Sequence, residues 1–278
     1  GRKVMYLIDP RKKRKPFGSR NPLIAKEART NNLRSGRWMI RTFYGSLFLS
    51  LALAVMSLYG GTEHADLLAH VAQILVAFQI GVIALVDPSL TAPAVSAEIE
   101  NGTFETLRMT RLSGGQIFWG KFIPAFLPAM LPVLALLPAY IAICFVQPDY
   151  LKRVQLLLPV VVLAVVFCCT LGLLCSSFVS NTARSTVAAY VITAALFVLP
   201  LLAWWAGGNQ ISVAVAKWLA MPSPLVMATT LMESSQNPSP MTLEVQKLWS
   251  KHLALMGAIC LAMLLVARVR LSMLLRQG

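Results

Sequence analysis

The stretch SAEIENGTFETLRMTRLSGGQIFWGK, residues 96–121, interrupts two long apolar runs and is called the polar segment below. It carries three acidic and three basic side chains, in a chain that elsewhere has long stretches with almost no charge. Because charge this dense is costly in hydrocarbon, we expect the polar segment to lie outside the bilayer. Asn101 and Gly102 tolerate left-handed backbone and are predicted to end a first helix, while Thr103 is predicted to cap a second.

The second helix of the polar segment is predicted to be short and amphipathic. Phe104 and Leu107 fall on one face, with Glu105 and Arg108 beside them. This pattern predicts an exposed helix whose apolar edge binds a partner. A solvated surface loop explains the charge pattern equally well.

Residues 112–116 spell LSGGQ, the signature string of the nucleotide-binding subunits of ATP-binding-cassette (ABC) transporters. A phosphate loop of the form GxxxxGK[ST] is absent from the sequence, and a membrane-length apolar run follows the string instead of a strand. Ser113 and Gln116 are therefore predicted to form a capping box that starts the next helix. An ATP contact is the alternative that the string alone would suggest.

The composition indicates a polytopic membrane protein. Apolar residues make up 57% of the chain and charged residues only 13%, about half of what soluble proteins carry. The net charge of +14 does not indicate nucleic acid, because the basic residues gather beside apolar runs, where membrane lipid is the expected partner. The five cysteines lie inside apolar runs without metal-ligand spacing, so we expect core residues and no metal site.

Six apolar runs are long enough to be considered as membrane spans. The third contains four prolines and is predicted to be kinked or broken, and the fourth places Gly172 and Ser176 on one small-residue face that lets another backbone approach. The sixth run is short and is expected to extend into Leu271–Leu275. The runs are 42–59, 67–86, 117–145, 154–178, 185–205 and 252–267.

Residues 1–41 form a basic arm with thirteen Lys or Arg against two acidic residues. Asn21 and Pro22 fit the N-cap and first position of a helix, and Lys26 and Glu27 fit its polar side. The arm is predicted to contain an interfacial helix, with a solvated linker as the alternative. Residues 42–278 form the six-span domain.

The distribution of basic residues predicts the orientation. With the N-terminus in the cytoplasm, 20 of the 25 Lys and Arg fall on that side. Both termini and a cytoplasmic loop at 87–116 are therefore expected inside, and the loop 206–251 outside. The outer loop holds two half-length apolar segments broken at Pro222 and Pro224, which predicts a re-entrant external hairpin before the last span.

The predicted spans place no Asp, Glu, Lys or Arg at mid-depth. Carriers driven by protons or sodium usually hold their coupling ion there, so a secondary carrier is disfavoured. No catalytic set of side chains gathers on one side of the membrane, so we do not expect an enzyme.

Four stretches resemble type-2 ABC permeases. Asn21-Pro22 with Lys26-Glu27 resembles the NP-x3-KE start that precedes the first span of this family, and the polar segment resembles the family's loop between the second and third spans. SSFVSNTARSTVAAY at 176–190 resembles the turn between the fourth and fifth spans, and MPSPL at 221–225 the external segment before the sixth. The arm ahead of Asn21 departs from the pattern and fits a linker from an upstream permease half.

The resemblance implies a permease of the cell membrane, paired with a second permease domain and with ABC ATPase subunits that bind ATP and magnesium. The chain itself is expected to bind no cofactor. With an uncharged path, the exported substrate is expected to be amphipathic or lipid-linked; a secondary carrier and a scaffold without transport are the alternatives. The residues expected to couple to the ATPase are Glu98, Glu100, Gly102, Thr103, Phe104, Glu105, Leu107, Arg108 and Arg111.

The orientation can be tested by labelling single introduced cysteines in intact cells with a membrane-impermeant maleimide. Gln236→Cys should be labelled from outside, because it lies in the loop assigned to that side. Gly102→Cys should be labelled only after the cells are opened. Labelling of both positions only in opened cells would contradict the six-span topology.

Overall fold

The computed structural model describes most of the chain after residue 64 and short pieces before it. Within the described part, every regular element is a helix. The described ranges are 65–109, 113–207, 221–233 and 246–276, with pieces at 23–24, 40–41 and 43–52 and single residues at 55, 215, 218, 243.

Between residues 65 and 207 the helices follow one another with short connections. In chain order they are α1 (Phe43–Ala52), α2 (Ala65–Thr91), α3 (Pro93–Glu100), α4 (Phe104–Arg108), α5 (Gly114–Ala129), α6 (Leu131–Val146), α7 (Tyr150–Phe178), α8 (Thr182–Gly207), α9 (Pro224–Leu231) and α10 (Trp249–Arg276).

Five helical stretches are long and apolar enough to cross a membrane. The chain is therefore an all-α, multi-pass membrane protein, as its composition predicts. Of the predicted first span, 42–59, α1 covers ten residues and most of the remainder lies outside the described residues. The five stretches are Leu68–Glu100, Gly114–Val146, Tyr150–Phe178, Thr182–Ala203 and Trp249–Leu275.

Helix α7 is the centre of the bundle. It packs against α2, α3, α5, α6, α8, α9 and α10. Its predicted small-residue face is confirmed, because a Cβ added at Gly172 would lie 1.9 Å from Thr91 Oγ1 and 3.1 Å from the backbone nitrogen of Ala92. The end of α2 thus lies directly on the backbone of α7.

One turn further along α7, Ser176 supplies a hydrogen-bond acceptor to α3. Its hydroxyl oxygen accepts from the backbone N–H of Val95 at 2.8 Å and of Ser96 at 2.9 Å. These N–H groups belong to the first turn of α3, where a helix has no acceptor of its own, and Ala92 at the N-cap position offers no side-chain oxygen. Ser176 therefore caps α3 from a neighbouring helix.

The third predicted run is broken, as its prolines indicate. Helix α5 ends and α6 begins at Met130, between Pro128 and Pro132. Proline lacks an N–H and crowds the preceding turn, so clustered prolines favour a break between two helices.

The segment around Pro222 and Pro224 forms a short buried helix. Ser223 caps α9 by accepting from the N–H of Val226 at 3.3 Å, and its hydroxyl donates to the carbonyl of Phe197 at 3.2 Å. Helix α9 has eight residues, too few to span a membrane, and it packs against α2, α7 and α8. It is one half of the predicted hairpin; most of the other half lies outside the described residues.

The contact at Gly172 can be tested by adding a methyl group. Gly172→Ala should destabilise the protein by about 2 kcal/mol, because the new Cβ overlaps Thr91, whose hydroxyl is held by a 2.9 Å bond to the carbonyl of Asp87. Thermal unfolding in detergent measures the change. Gly81→Ala is the matched control in α2, since a Cβ there meets no described atom within 4 Å. Equal stability of the two variants would contradict the close contact.

Candidate functional site

The polar segment has the predicted order of helix, break and helix. Helix α3 ends at Glu100, and Gly102 has the positive φ of +68° that a left-handed turn requires. The N–H groups of Asn101 and Gly102 donate to the carbonyls of Ala97 and Ile99, both at 3.1 Å. The first helix and the break at Asn101 and Gly102 are therefore confirmed, and α2 extends into the expected loop as far as Thr91.

Thr103 does not cap α4, so that prediction is wrong. Its backbone is already helical, with φ −80° and ψ −9°, whereas a capping side chain needs extended backbone to reach the first free N–H groups. The hydroxyl of Thr103 donates backwards, to the carbonyl of Glu98 at 3.3 Å.

The predicted exposed apolar edge of α4 is also wrong. Phe104 and Leu107 are only 7% and 6% exposed and belong to the hydrophobic core. A helix of five residues is too short to be stable alone, so it is held by burying its apolar face. These two side chains anchor α4 to the protein, and they are not free to fill a groove on a partner.

Glu98 forms an ion pair with Lys121, the last residue of the polar segment. Lys121 Nζ lies 2.9 Å from Glu98 Oε2 and donates to the carbonyl of Ala94 at 2.7 Å. The side chain of Lys121 is only 2% exposed, so the ammonium group depends on these oxygens in place of water. The pair joins α3 to α5.

Glu100 joins α3 to α8. Its Oε2 accepts from the backbone N–H of Thr182 at 2.9 Å and from the Thr182 hydroxyl at 2.6 Å. A carboxylate at the start of a helix is favoured by the free N–H groups and by the helix dipole. Glu98 and Glu100 therefore each have a partner within the chain.

The LSGGQ string begins α5 with the predicted capping box. The N–H of Gln116 donates to Ser113 Oγ at 3.3 Å, and the N–H of Ser113 donates to Gln116 Oε1 at 2.9 Å. The two glycines allow α10 to approach, because a Cβ at Gly114 would lie 3.0 Å from the backbone of Ser272 and one at Gly115 would lie 3.3 Å from Arg268 Nε. Helix capping thus explains Ser113 and Gln116, and helix packing explains Gly114 and Gly115.

The outward-facing surface of the polar segment is formed by the turn and the outer face of α4. Gly102, Thr103 and Glu105 are exposed, and Met109 is 87% exposed. The side chain of Arg108 and the whole of Arg111 lie outside the described residues.

Asn21, Pro22, Lys26 and Glu27, assigned to the interfacial helix, lie outside the described residues. The next residue after Pro22, Leu23, is helical and buried. It covers Gly120, where an added Cβ would lie 2.6 Å from the Leu23 side chain. Leu23 therefore packs on α5, near the end of the polar segment.

Asp87 is a buried acid that the sequence did not place inside a span. The predicted second span ended at Val86, but α2 continues through Asp87 and Pro88 to Thr91. Asp87 is fully buried, and neither carboxylate oxygen has a hydrogen-bond partner among the described residues. Asp87 therefore belongs to the long apolar stretch Leu68–Glu100, although the sequence placed it just outside the second span. An Asp-Pro pair reads as a helix end, but membrane helices tolerate an internal proline when neighbouring groups satisfy the backbone.

Comparison with known proteins identifies no family: no family model matches the chain, and no curated protein matches it significantly. The fold defines the chain as a multi-pass helical membrane protein. The anchored polar segment and the buried Asp87 are its two candidate functional sites.

The Glu98–Lys121 pair can be tested by removing one charge. Glu98→Gln should cost about 3 kcal/mol of stability, because it leaves the buried Lys121 ammonium without its counter-charge. Thermal unfolding in detergent is the measurement, and Lys121→Met added to Glu98→Gln should restore part of the loss. Glu105→Gln, at an exposed carboxylate, is the control and should change stability by less than about 0.5 kcal/mol. A loss no larger than that of the control would show that the pair is not structural.

Proposed function

We propose that this chain is the membrane-spanning permease subunit of an ABC exporter, which moves an amphipathic or lipid-linked substrate outward with ATP hydrolysed on a separate subunit. The observation that carries the proposal is the attachment of the polar segment to several spans at once. The resemblance of residues 21–27, 96–121, 176–190 and 221–225 to type-2 permeases supports it.

The attachments give the polar segment the properties of a lever. A displacement of α4 reaches α3 through Phe104 and Leu107, which are buried in the core that α3 shares. From α3 it reaches α5 through the Glu98–Lys121 pair and α8 through Glu100, whose partner is Thr182. The contact with Ser176 carries it to the central helix α7. Force applied at one exposed turn therefore acts on three further spans.

The surface that would receive the ATPase is the outer face of α4. Glu105 and Met109 are exposed there, and the sequence of the same segment adds Arg108 and Arg111. An exposed methionine suits an adaptable apolar contact, and flanking charges set the register of docking. ATP and magnesium would be bound by the partner and not by this chain.

Six spans with both termini in the cytoplasm complete the proposed arrangement in the cell membrane, with α1 as part of the first span. The distribution of Lys and Arg supports this orientation. A second permease domain would pair with this one, and exposed apolar side chains such as Val187 and Val191 on α8 suit contact with lipid or with that second domain.

A second candidate function is an ion-coupled carrier, and Asp87 is the observation that favours it. An acid buried within a membrane helix is typical of positions that bind a coupling ion. A carrier of this kind would transport without an ATPase subunit, so the composition of the native complex separates the two candidates.

The proposed coupling surface can be tested with Glu105→Lys combined with Met109→Asp. The double variant should insert normally, because neither residue is buried, and it should lose the subunit bearing GxxxxGK[ST] that copurifies with the tagged wild-type chain. Loss of an interfacial anchor and reversal of a charge together should lower recovery of that subunit at least tenfold.

Asp149→Lys is the matched control, since it reverses an exposed charge in the connection between α6 and α7 and should keep the subunit. Retention of the subunit by the double variant would remove α4 from the coupling. Absence of any such subunit from the wild-type complex would overturn the exporter.

A further inference from the structure

Asp87 lies in the interior of the bundle, on α2, one turn before Thr91, which contacts Gly172 of α7. It has no accessible surface, and its two carboxylate oxygens receive no hydrogen bond from any residue that the structure describes. Its carbonyl oxygen, by contrast, accepts from the hydroxyl of Thr91 at 2.9 Å. The backbone at this position is therefore satisfied, while the side chain is not.

The titratable groups that face Asp87 are all uncharged in their ordinary state. They are the thiols of Cys168 and Cys169 on α7 and the phenol of Tyr190 on α8. Tyr190 donates its hydroxyl proton to the carbonyl of Leu85 at 2.7 Å, and Cys260 on α10 lies beside Cys168. None of these groups compensates a carboxylate.

The other helices packed against α2 offer no counter-charge either. Helix α9 contains no titratable residue, and Lys121 of α5 is bound to Glu98. Helix α6 contributes Tyr140, which donates to Gln79, and Cys144; the acids of α3 are held by Lys121 and Thr182. Arg184 of α8 is exposed, and no cation in the described ranges forms a hydrogen bond with the Asp87 carboxylate.

An ionised carboxylate with neither water nor a donor is strongly disfavoured in an apolar interior, whereas the protonated acid is neutral. A metal cation would need several ligands, and the described residues hold no group of three or more acidic, Cys or His side chains that could bind one. We infer that Asp87 is a proton-binding site inside the bundle, and that its proton exchanges with water only when the packing of α2 against α7 and α8 opens.

The link to conformation follows from the position of Asp87. Thr91, whose hydroxyl donates to the backbone carbonyl of Asp87, is also the residue that contacts Gly172 of α7. The next residue, Ala92, accepts from Ser185 of α8 at 2.8 Å. Water that reaches the carboxyl group must separate these contacts, so binding and release of the proton are tied to movement of α2. This inference concerns the interior of the bundle and holds with or without an ATPase partner.

Infrared spectroscopy of the purified full chain in a detergent without ester or carboxyl groups tests the site directly. At neutral pH the wild type should show the carbonyl stretching band of a protonated carboxylic acid, and Asp87→Asn should lack it. Glu105→Gln is the control, because it removes an exposed carboxylate instead of a buried one and should leave the band unchanged. A band that remains unchanged in Asp87→Asn, or a wild type without any such band, would overturn the inference.

A second measurement needs no variant. Labelling the aspartate carboxyl carbons with carbon-13 should shift the band in the wild type, and sodium ions should leave it in place. A band that labelling does not shift would exclude an aspartic acid as its source. Loss of the band on adding sodium at constant pH would show that a metal cation takes the place of the proton, and it would overturn the proton-binding site.

The link to helix packing is tested by the rate of exchange in heavy water. Exchange of the Asp87 band should be slow in the wild type and at least tenfold faster in Gly172→Ala, where the new methyl group pushes α2 from α7. Gly81→Ala, on α2 with Asp87 but away from the contact with α7, should exchange like the wild type. Equal rates in all three proteins would show that access to Asp87 does not depend on this packing.

Discussion

The close approach of α2 and α3 to α7 is the contact on which the rest of the structure depends. It exists because Gly172 has no side chain and because the Ser176 hydroxyl replaces a missing cap for α3. In an apolar environment a free backbone N–H is costly, so a helix can begin there only where another group accepts its bonds. The same contact buries Asp87 and sets the direction in which the polar segment leaves the bundle.

Charged side chains of the polar segment form contacts within the chain and hold the segment in place. Glu98, Glu100 and Lys121 look like a solvated cluster in the sequence, but each has a partner in the fold. A buried pair such as Glu98–Lys121 adds geometric specificity more than stability, because desolvation offsets much of the attraction. These contacts hold the segment in one orientation relative to α5 and α8.

The sequence predicted most of the helical architecture. Run length and composition located the five long spans, clustered prolines located the break at Met130, and the S-x-x-Q spacing located the cap of α5. Each of these depends on neighbours along the chain, and so each can be read from a single sequence.

The errors concern contacts between distant parts of the chain. The spacing of Phe104 and Leu107 shows that they share a face, but not whether that face points inward. Glu100 bonds to a residue 82 positions away, which no local pattern indicates. Asp87 was placed outside the second span because the apolar run ends at Val86, whereas the helix continues through Asp87 and Pro88 to Thr91.

The cap that Ser176 provides for α3 has a consequence for how the protein is made. Chains emerge from the ribosome in order, so α3 is synthesised 80 residues before the serine that satisfies its first turn. Until α7 has entered the membrane, the N–H groups of Val95 and Ser96 must be bonded by water or by the insertion machinery. The polar segment therefore acquires its final shape only after the fourth predicted span is in place.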